Sequence, residues 1–109
     1  MTIKAFVSGC AGTRLSDDER SFFAAEQPLG LILFKRNCDT PDQVRALVDD
    51  FLGAVGRADA PVLIDQEGGR VRRLRPPHWP DYPAAEVIGT LARRDLAAGT
   101  RAAWLKGRL

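Results

Sequence analysis

Pro61-Val62-Leu63-Ile64-Asp65-Gln66-Glu67-Gly68-Gly69-Arg70 joins a short apolar run to an abrupt polar turn containing two glycines. An apolar run without polar alternation reads as a strand buried on both faces, the kind that belongs to parallel sheets. Its C-terminal end is where α/β folds place ligand-binding groups, and Asp65 stands at that end. Upstream, Leu29-Gly30-Leu31-Ile32-Leu33-Phe34 has the same character. Ala5-Phe6-Val7 is a shorter version that runs into the glycine-rich loop Ser8-Gly9-Cys10-Ala11-Gly12.

Helices separate these strands. Ser16-Asp17-Asp18-Glu19 is a start signal, with Ser16 as cap and Glu19 three residues on to reach back, and Pro28 ends the segment. Thr40-Pro41-Asp42-Gln43 is a second, with Thr40 as cap, Pro41 in the first helical position and Gln43 completing the box. Val44, Leu47, Val48, Phe51, Leu52 and Val55 then draw one apolar stripe, and Gly56 is placed to end the helix. Residues 70–83 hold Pro76, Pro77, Pro80 and Pro83 and read as an irregular loop. From Ala84 onward the chain is alanine-rich and helical, broken near Asp95, which caps a second piece carrying Ala98, Ala102, Leu105 and Leu109 on one stripe.

The order β-α-β-α-β-loop-α specifies a parallel sheet. Both a doubly wound sheet and an eight-stranded βα barrel of roughly 250 residues begin this way, and the long loop after the third strand suits a barrel mouth. Against that size the chain has 109 residues, 45% hydrophobic and 28% charged, an ordinary globular composition that excludes collagen-like and disordered classes. A net charge of +2 predicts neither nucleic-acid nor membrane affinity by itself. Cys10 and Cys38 form no CxxC pair, and a single histidine completes no metal cluster, so reduced thiols are expected and no zinc site. No apolar run is long enough to span a bilayer or form a signal-peptide core, so the default location is the cytoplasm.

The chemistry carried by these residues narrows further. Glu67 follows Asp65 by two, and paired carboxylates about 5 to 5.5 Å apart are the geometry of retaining glycosidases. Two carboxylates on one loop lie beside each other instead of flanking a scissile bond, so neither is assigned an acid, base or nucleophile role. From the residues alone, Asp65 capping the following turn is an equally good reading. No GxxxxGK[ST] occurs, which argues against nucleotide hydrolysis. Arg70, Arg72, Arg73 and Arg75, with His78, Trp79 and Tyr82, are a basic and aromatic stretch suited to nucleic acid, but arginines beside Asp65 and Glu67 are more simply paired or aimed at a polar ligand. His78, between Pro77 and Trp79 with no nucleophile marked nearby, reads as a packing or surface histidine.

Ile64-Asp65-Gln66-Glu67-Gly68-Gly69-Arg70-Val71, with Arg73 beyond, resembles the signature of family 3 glycoside hydrolases, specifically the bacterial β-N-acetylhexosaminidases of NagZ type. The resemblance extends through Gly9, Gly12, Leu15 and Glu19, through Pro28-Leu29-Gly30-Leu31-Ile32-Leu33-Phe34 with Arg36-Asn37, and to Pro83-Ala84-Ala85, nearly the whole chain. It implies βα units of a TIM-type (β/α)8 barrel, with residues 1–109 as the N-terminal portion of the catalytic domain and the barrel incomplete. It implies retaining hydrolysis of terminal N-acetylglucosamine from cell-wall muropeptides in the cytoplasm, with no metal or other cofactor. Asp65 resembles the aspartate that binds sugar hydroxyls and Arg73 an arginine of the substrate site, while Glu67, Gly68, Gly69 and Arg70 support the loop. The family's aspartate nucleophile, histidine proton donor and substrate-gripping lysine-histidine pair match no residue here, so no catalytic residue is expected in the chain. A carbohydrate is therefore the expected partner, with no nucleic acid and no membrane; a non-catalytic sugar- or partner-binding remnant is the alternative.

Overall fold

In the computed structural model, which describes residues 2–108, Thr40 Oγ1 accepts from the Gln43 N–H at 3.2 Å and Pro41 takes the first turn of the central helix α2, Pro41–Val55. Gly56 closes it in the left-handed conformation. Leu47, Phe51 and Val55 on its inner stripe are buried, as the periodicity requires. The expected capping box is displaced: Gln43 Oε1 accepts from Asp39 N at 2.7 Å, one residue earlier than Thr40. That orientation lets Gln43 Nε2 donate to Thr13 O at 2.9 Å and Asn37 O at 2.8 Å, tying the helix start to two loops.

The chain divides into two compact units after Asp65. In the first, strands β1 (Lys4–Ser8), β2 (Pro28–Leu33) and β3 (Val62–Ile64) form a parallel sheet in chain order, with α1 (Asp17–Glu26) and α2 as the intervening helices. Ser16 and Glu19 form the expected reciprocal cap on α1, at 3.1 and 2.8 Å. Gln27 ends α1 at φ 50 and is itself buried, its amide donating to Ala24 O and Val55 O. Leu31 and Leu33 face the helices with Phe23, Leu47, Phe51 and Val55, and the Phe23 and Phe51 rings meet edge to face at 5.2 Å.

Burial on both faces of the strands is not what the fold shows. Leu63, paired with Ile32 across the sheet, is 46% exposed, and Val7, paired with Gly30, is 37% exposed. Within this unit both helices cover one face of the sheet, so continuous apolar sequence here marks a second face that is apolar yet uncovered by the unit itself.

In the second unit the irregular loop expected at 70–83 is found from residue 73 onward, while its first residues belong to a hairpin. Strands β4 (Gln66–Gly68) and β5 (Val71–Arg72) form an antiparallel hairpin through Gly69 and Arg70, with a bulge between Gln66 and Gly68. Strands of two and three residues are too short to show alternation, which is why the sequence reads as irregular there. Helices α3 (Ala85–Arg94) and α4 (Leu96–Arg108) follow, divided at Asp95, whose carboxylate accepts from Ala98 N at 3.0 Å as expected of a cap. Gly99 allows the close approach of α4 to α3: a Cβ there would lie 2.4 Å from Ala92 Cα. Ala98 and Ala102 are half-buried on the anticipated stripe, Leu105 is exposed, and Leu109 lies outside the described residues.

Candidate substrate site

Asp65 follows β3 directly and is half-buried, at the strand end where the apolar run stops. This is the position expected of it from sequence. Of the residues assigned to the supporting loop, Glu67 is exposed on β4, Gly68 is buried, Gly69 is half-buried and Arg70 is exposed at the hairpin turn. Both glycines have positive φ, 90 and 61. At Gly68 the space is as restrictive as the dihedral, since a Cβ would lie 2.2 Å from Pro83 O. The hairpin is held against residues 82–84 by Gly69 N donating to Tyr82 O at 3.2 Å.

Arg73, half-buried just past β5, is positioned through its backbone by Gln66. The Gln66 Oε1 accepts from Arg73 N and Leu74 N, both at 3.0 Å, and Nε2 donates to Leu74 O at 2.8 Å. Gln66 therefore fixes how far Arg73 stands from the hairpin, a role the sequence reading missed. Its place between Asp65 and Glu67 in the motif was the available signal.

A second missed residue organises the loop after β1. Asn37, fully buried in the 3-10 turn Lys35–Asn37, donates through Nδ2 to Cys10 O at 3.1 Å and Gly12 O at 2.7 Å, and its Oδ1 accepts from Phe34 N at 2.8 Å. Arg36 Nε adds a bond to Cys10 O at 3.0 Å. The same loop is gripped from α1, where Glu19 Oε1 accepts from Ala11 N at 2.8 Å. Burial weakens the Glu19 acid, but the N–H groups of Ser16 and Ala11 and the Ser16 hydroxyl outweigh it and hold the carboxyl below its ordinary value.

The chain resembles proteins whose names carry an activity. The β-hexosaminidase of Methylococcus capsulatus is 42% identical over 94 residues, covering 86% of this chain, and that of Alkalilimnicola ehrlichii is 39% identical over 97 residues, covering 89%. The solved structure of NagZ from Neisseria gonorrhoeae in complex with N-trifluoroacetyl-D-glucosamine superposes with a TM-score of 0.78 at 27% identity over 88% of this chain. A glycoside hydrolase family 3 β-N-acetylglucosaminidase from Paenibacillus gives 0.67 at 31% identity over 77%. The chain belongs to the NagZ-type β-hexosaminidases of glycoside hydrolase family 3. It spans 28% and 27% of the length of the two curated relatives, and 29% and 16% of the two solved chains. No family model matches it.

Within this family member the basic stretch is largely committed. Arg72 pairs with Asp81, Arg75 Nε donates to Arg72 O at 3.1 Å, and Arg72, Arg73 and Arg75 are half-buried, leaving Arg70 exposed. His78 is exposed and meets the Trp79 ring edge to face at 5.8 Å, as a surface packing residue does. Cys10 is buried and Cys38 half-buried; both are free, and burial pushes both thiols up. Among the described residues no group of three or more His, Cys, Asp or Glu is placed to hold a metal ion, and no helix is long and apolar enough to cross a membrane.

Proposed function

We propose that this chain supplies part of the sugar-binding side of a retaining β-N-acetylhexosaminidase that removes terminal N-acetylglucosamine from peptidoglycan-derived muropeptides in the cytoplasm. In this reading the three parallel strands are the first βα units of a (β/α)8 barrel, and residues 1–109 are the N-terminal part of its catalytic domain. Asp65 at the end of β3, followed by a hairpin that only glycine at 68 permits, is the observation that carries the proposal.

An ionised aspartate there accepts two hydroxyl protons and fixes a pyranose, and the planar Arg73 fork adds charge-assisted bonds that orient it. Glu67, Gly68, Gly69 and Arg70 keep the loop in shape. None of these groups attacks the anomeric carbon or protonates the leaving oxygen, so the nucleophile and the acid-base residue come from outside these 109 residues.

The test begins with the native product in cell extract, captured with an antibody to this segment and weighed by intact mass. That product is assayed for hydrolysis of 4-nitrophenyl N-acetyl-β-D-glucosaminide. Asp65→Ala is expected to lower kcat/KM by about 10²-fold and Arg73→Ala by about tenfold or more. Unchanged turnover and KM in Asp65→Ala would overturn the sugar-site role. A stable product of 11.9 kDa without hydrolysis would leave the non-catalytic alternative.

A further inference from the structure

The second unit contains a cavity of about 370 Å³ lined by Gln66, Leu74, Trp79, Pro80, Tyr82 and Lys106. That volume lies within the range of small-molecule sites. Its walls are pre-set. Gln66 spends its amide on the backbone of residues 73 and 74, Trp79 N donates to Arg75 O at 3.2 Å, and Lys106 Nζ donates to Pro83 O at 3.0 Å and to Glu67 O.

The lining has an uneven chemistry. Leu74, Pro80 and the two aromatic rings supply apolar surface, while each polar group left over has a proton to donate, the Tyr82 hydroxyl being able to accept as well. Among the described residues neither the Trp79 indole N–H nor the Tyr82 hydroxyl makes a hydrogen bond, and Lys106, with three protons, directs two to backbone carbonyls. A ligand matched to this lining brings a ring face and acceptors. Pro80 is exposed and Trp79 and Tyr82 are half-buried, so one side of the cavity stays wet. An amphipathic ring that keeps hydroxyls in water suits it better than a wholly apolar one.

We propose that this cavity is a binding site for a pyranose bearing a carboxylate, its C–H face against Trp79 and its carboxylate on the Lys106 ammonium and the Tyr82 hydroxyl. Aromatic rings present a negative face to polarised C–H bonds, and a charged donor and a hydroxyl donor together favour an anion over a neutral hydroxyl. The site stands independently of the hydrolytic reading: absence of binding here leaves the Asp65 role intact, and loss of that role leaves this cavity intact.

The chain has two tryptophans, so Trp104→Phe makes Trp79 the sole indole reporter. Trp104 is half exposed and stacks on Arg101 and Arg108, so the replacement keeps a ring at a surface position. D-glucuronate, D-glucose and benzoate are titrated into the full chain carrying Trp104→Phe. Glucuronate is expected to change Trp79 emission saturably, with glucose and benzoate at least about tenfold weaker. Lys106→Met is expected to reduce glucuronate to the level of glucose. Because Lys106 also holds the loop, Tyr82→Phe serves as the second variant; it breaks no hydrogen bond of the protein and is expected to weaken glucuronate severalfold. No saturable response to glucuronate up to about 50 mM, equal binding of glucose or benzoate, or an unaltered response in both variants would overturn the proposal.

Discussion

Asn37 shows how much one buried side chain can determine. Its buried amide satisfies two carbonyls of the loop after β1 and one N–H at the end of β2, with Cys10 buried and Gly12 and Phe34 half-buried. Asn37→Ala is expected to destabilise the first unit by about 3 kcal/mol, at about 1 kcal/mol for each bond lost, measured by urea unfolding. Gly68 is as constrained for a different reason. Gly68→Ala combines φ 90 with a 2.2 Å clash on a backbone oxygen, and about 2 to 4 kcal/mol of strain is expected, from the backbone conformation and the forced repacking together. The measurable sign is loss of the hydrogen-exchange protection that Gly69 N draws from Tyr82 O. The cysteines are inert by placement: with both thiols raised by burial, alkylation by iodoacetamide at pH 7 is expected to be slower than for a free thiol and to accelerate in denaturant. The placement of Asp65 at a strand end and of Gly68 and Gly69 in the turn after it was legible, because an apolar run that stops at a polar residue and two glycines marks such a turn. Asn37 and Gln66 were not, because their importance lies in carbonyls and N–H groups that sequence does not reveal to be buried.

At the scale of elements, α2 was the most readable. Its cap, proline, stripe and terminal glycine all point the same way, and that agreement is what specifies a helix. Phe51 at the centre of the stripe is fully buried against Phe23, so Phe51→Ala is expected to cost about 3 to 5 kcal/mol by cavity formation, read as a lowered urea midpoint with unchanged slope. Helix α1 contributes the acid sensitivity. Asp50 accepts the bidentate Arg20 guanidinium, which holds its carboxyl low, and Glu19 is held low by the N–H groups of Ser16 and Ala11 against the opposing effect of burial. A carboxyl whose folded pKa is depressed adds stability above its ordinary value and loses it as pH falls through the folded one. Stability is therefore expected to decline below about pH 5, and the Glu19→Gln, Asp50→Asn double variant to flatten that acid limb. The hairpin of β4 and β5 was the element sequence could not show, because its identity rests on two glycine dihedrals and a bulge instead of a periodic pattern.

Across the whole molecule the two units differ in how well their apolar residues are used. The first has a buried cluster on one side of its sheet, yet Ile3, Val7 and Leu63 remain 37 to 48% exposed. In the second, no residue of α3 is fully buried, although Val87 and Leu91 recur at helical spacing. Exposed apolar surface of this kind promotes association. The 109-residue chain expressed alone is expected to sediment as oligomers and to bind a hydrophobic dye; a monomer that unfolds cooperatively would contradict this. The parallel arrangement was readable from three apolar runs spaced by two capped helices, whereas which face of each run stays open was not, since unbroken apolarity looks alike on either side. The register of that sheet also sets a timetable for synthesis. Lys4 lies opposite Pro28, and Leu31 opposite Val62, so each strand waits through a whole intervening helix for its neighbour. On the ribosome α1 and α2 can wind as soon as they emerge, while β1 has no ladder to join until residue 33 has cleared the exit tunnel. The order of emergence is thus α1 before the β1–β2 ladder, and α2 before β3 can join it.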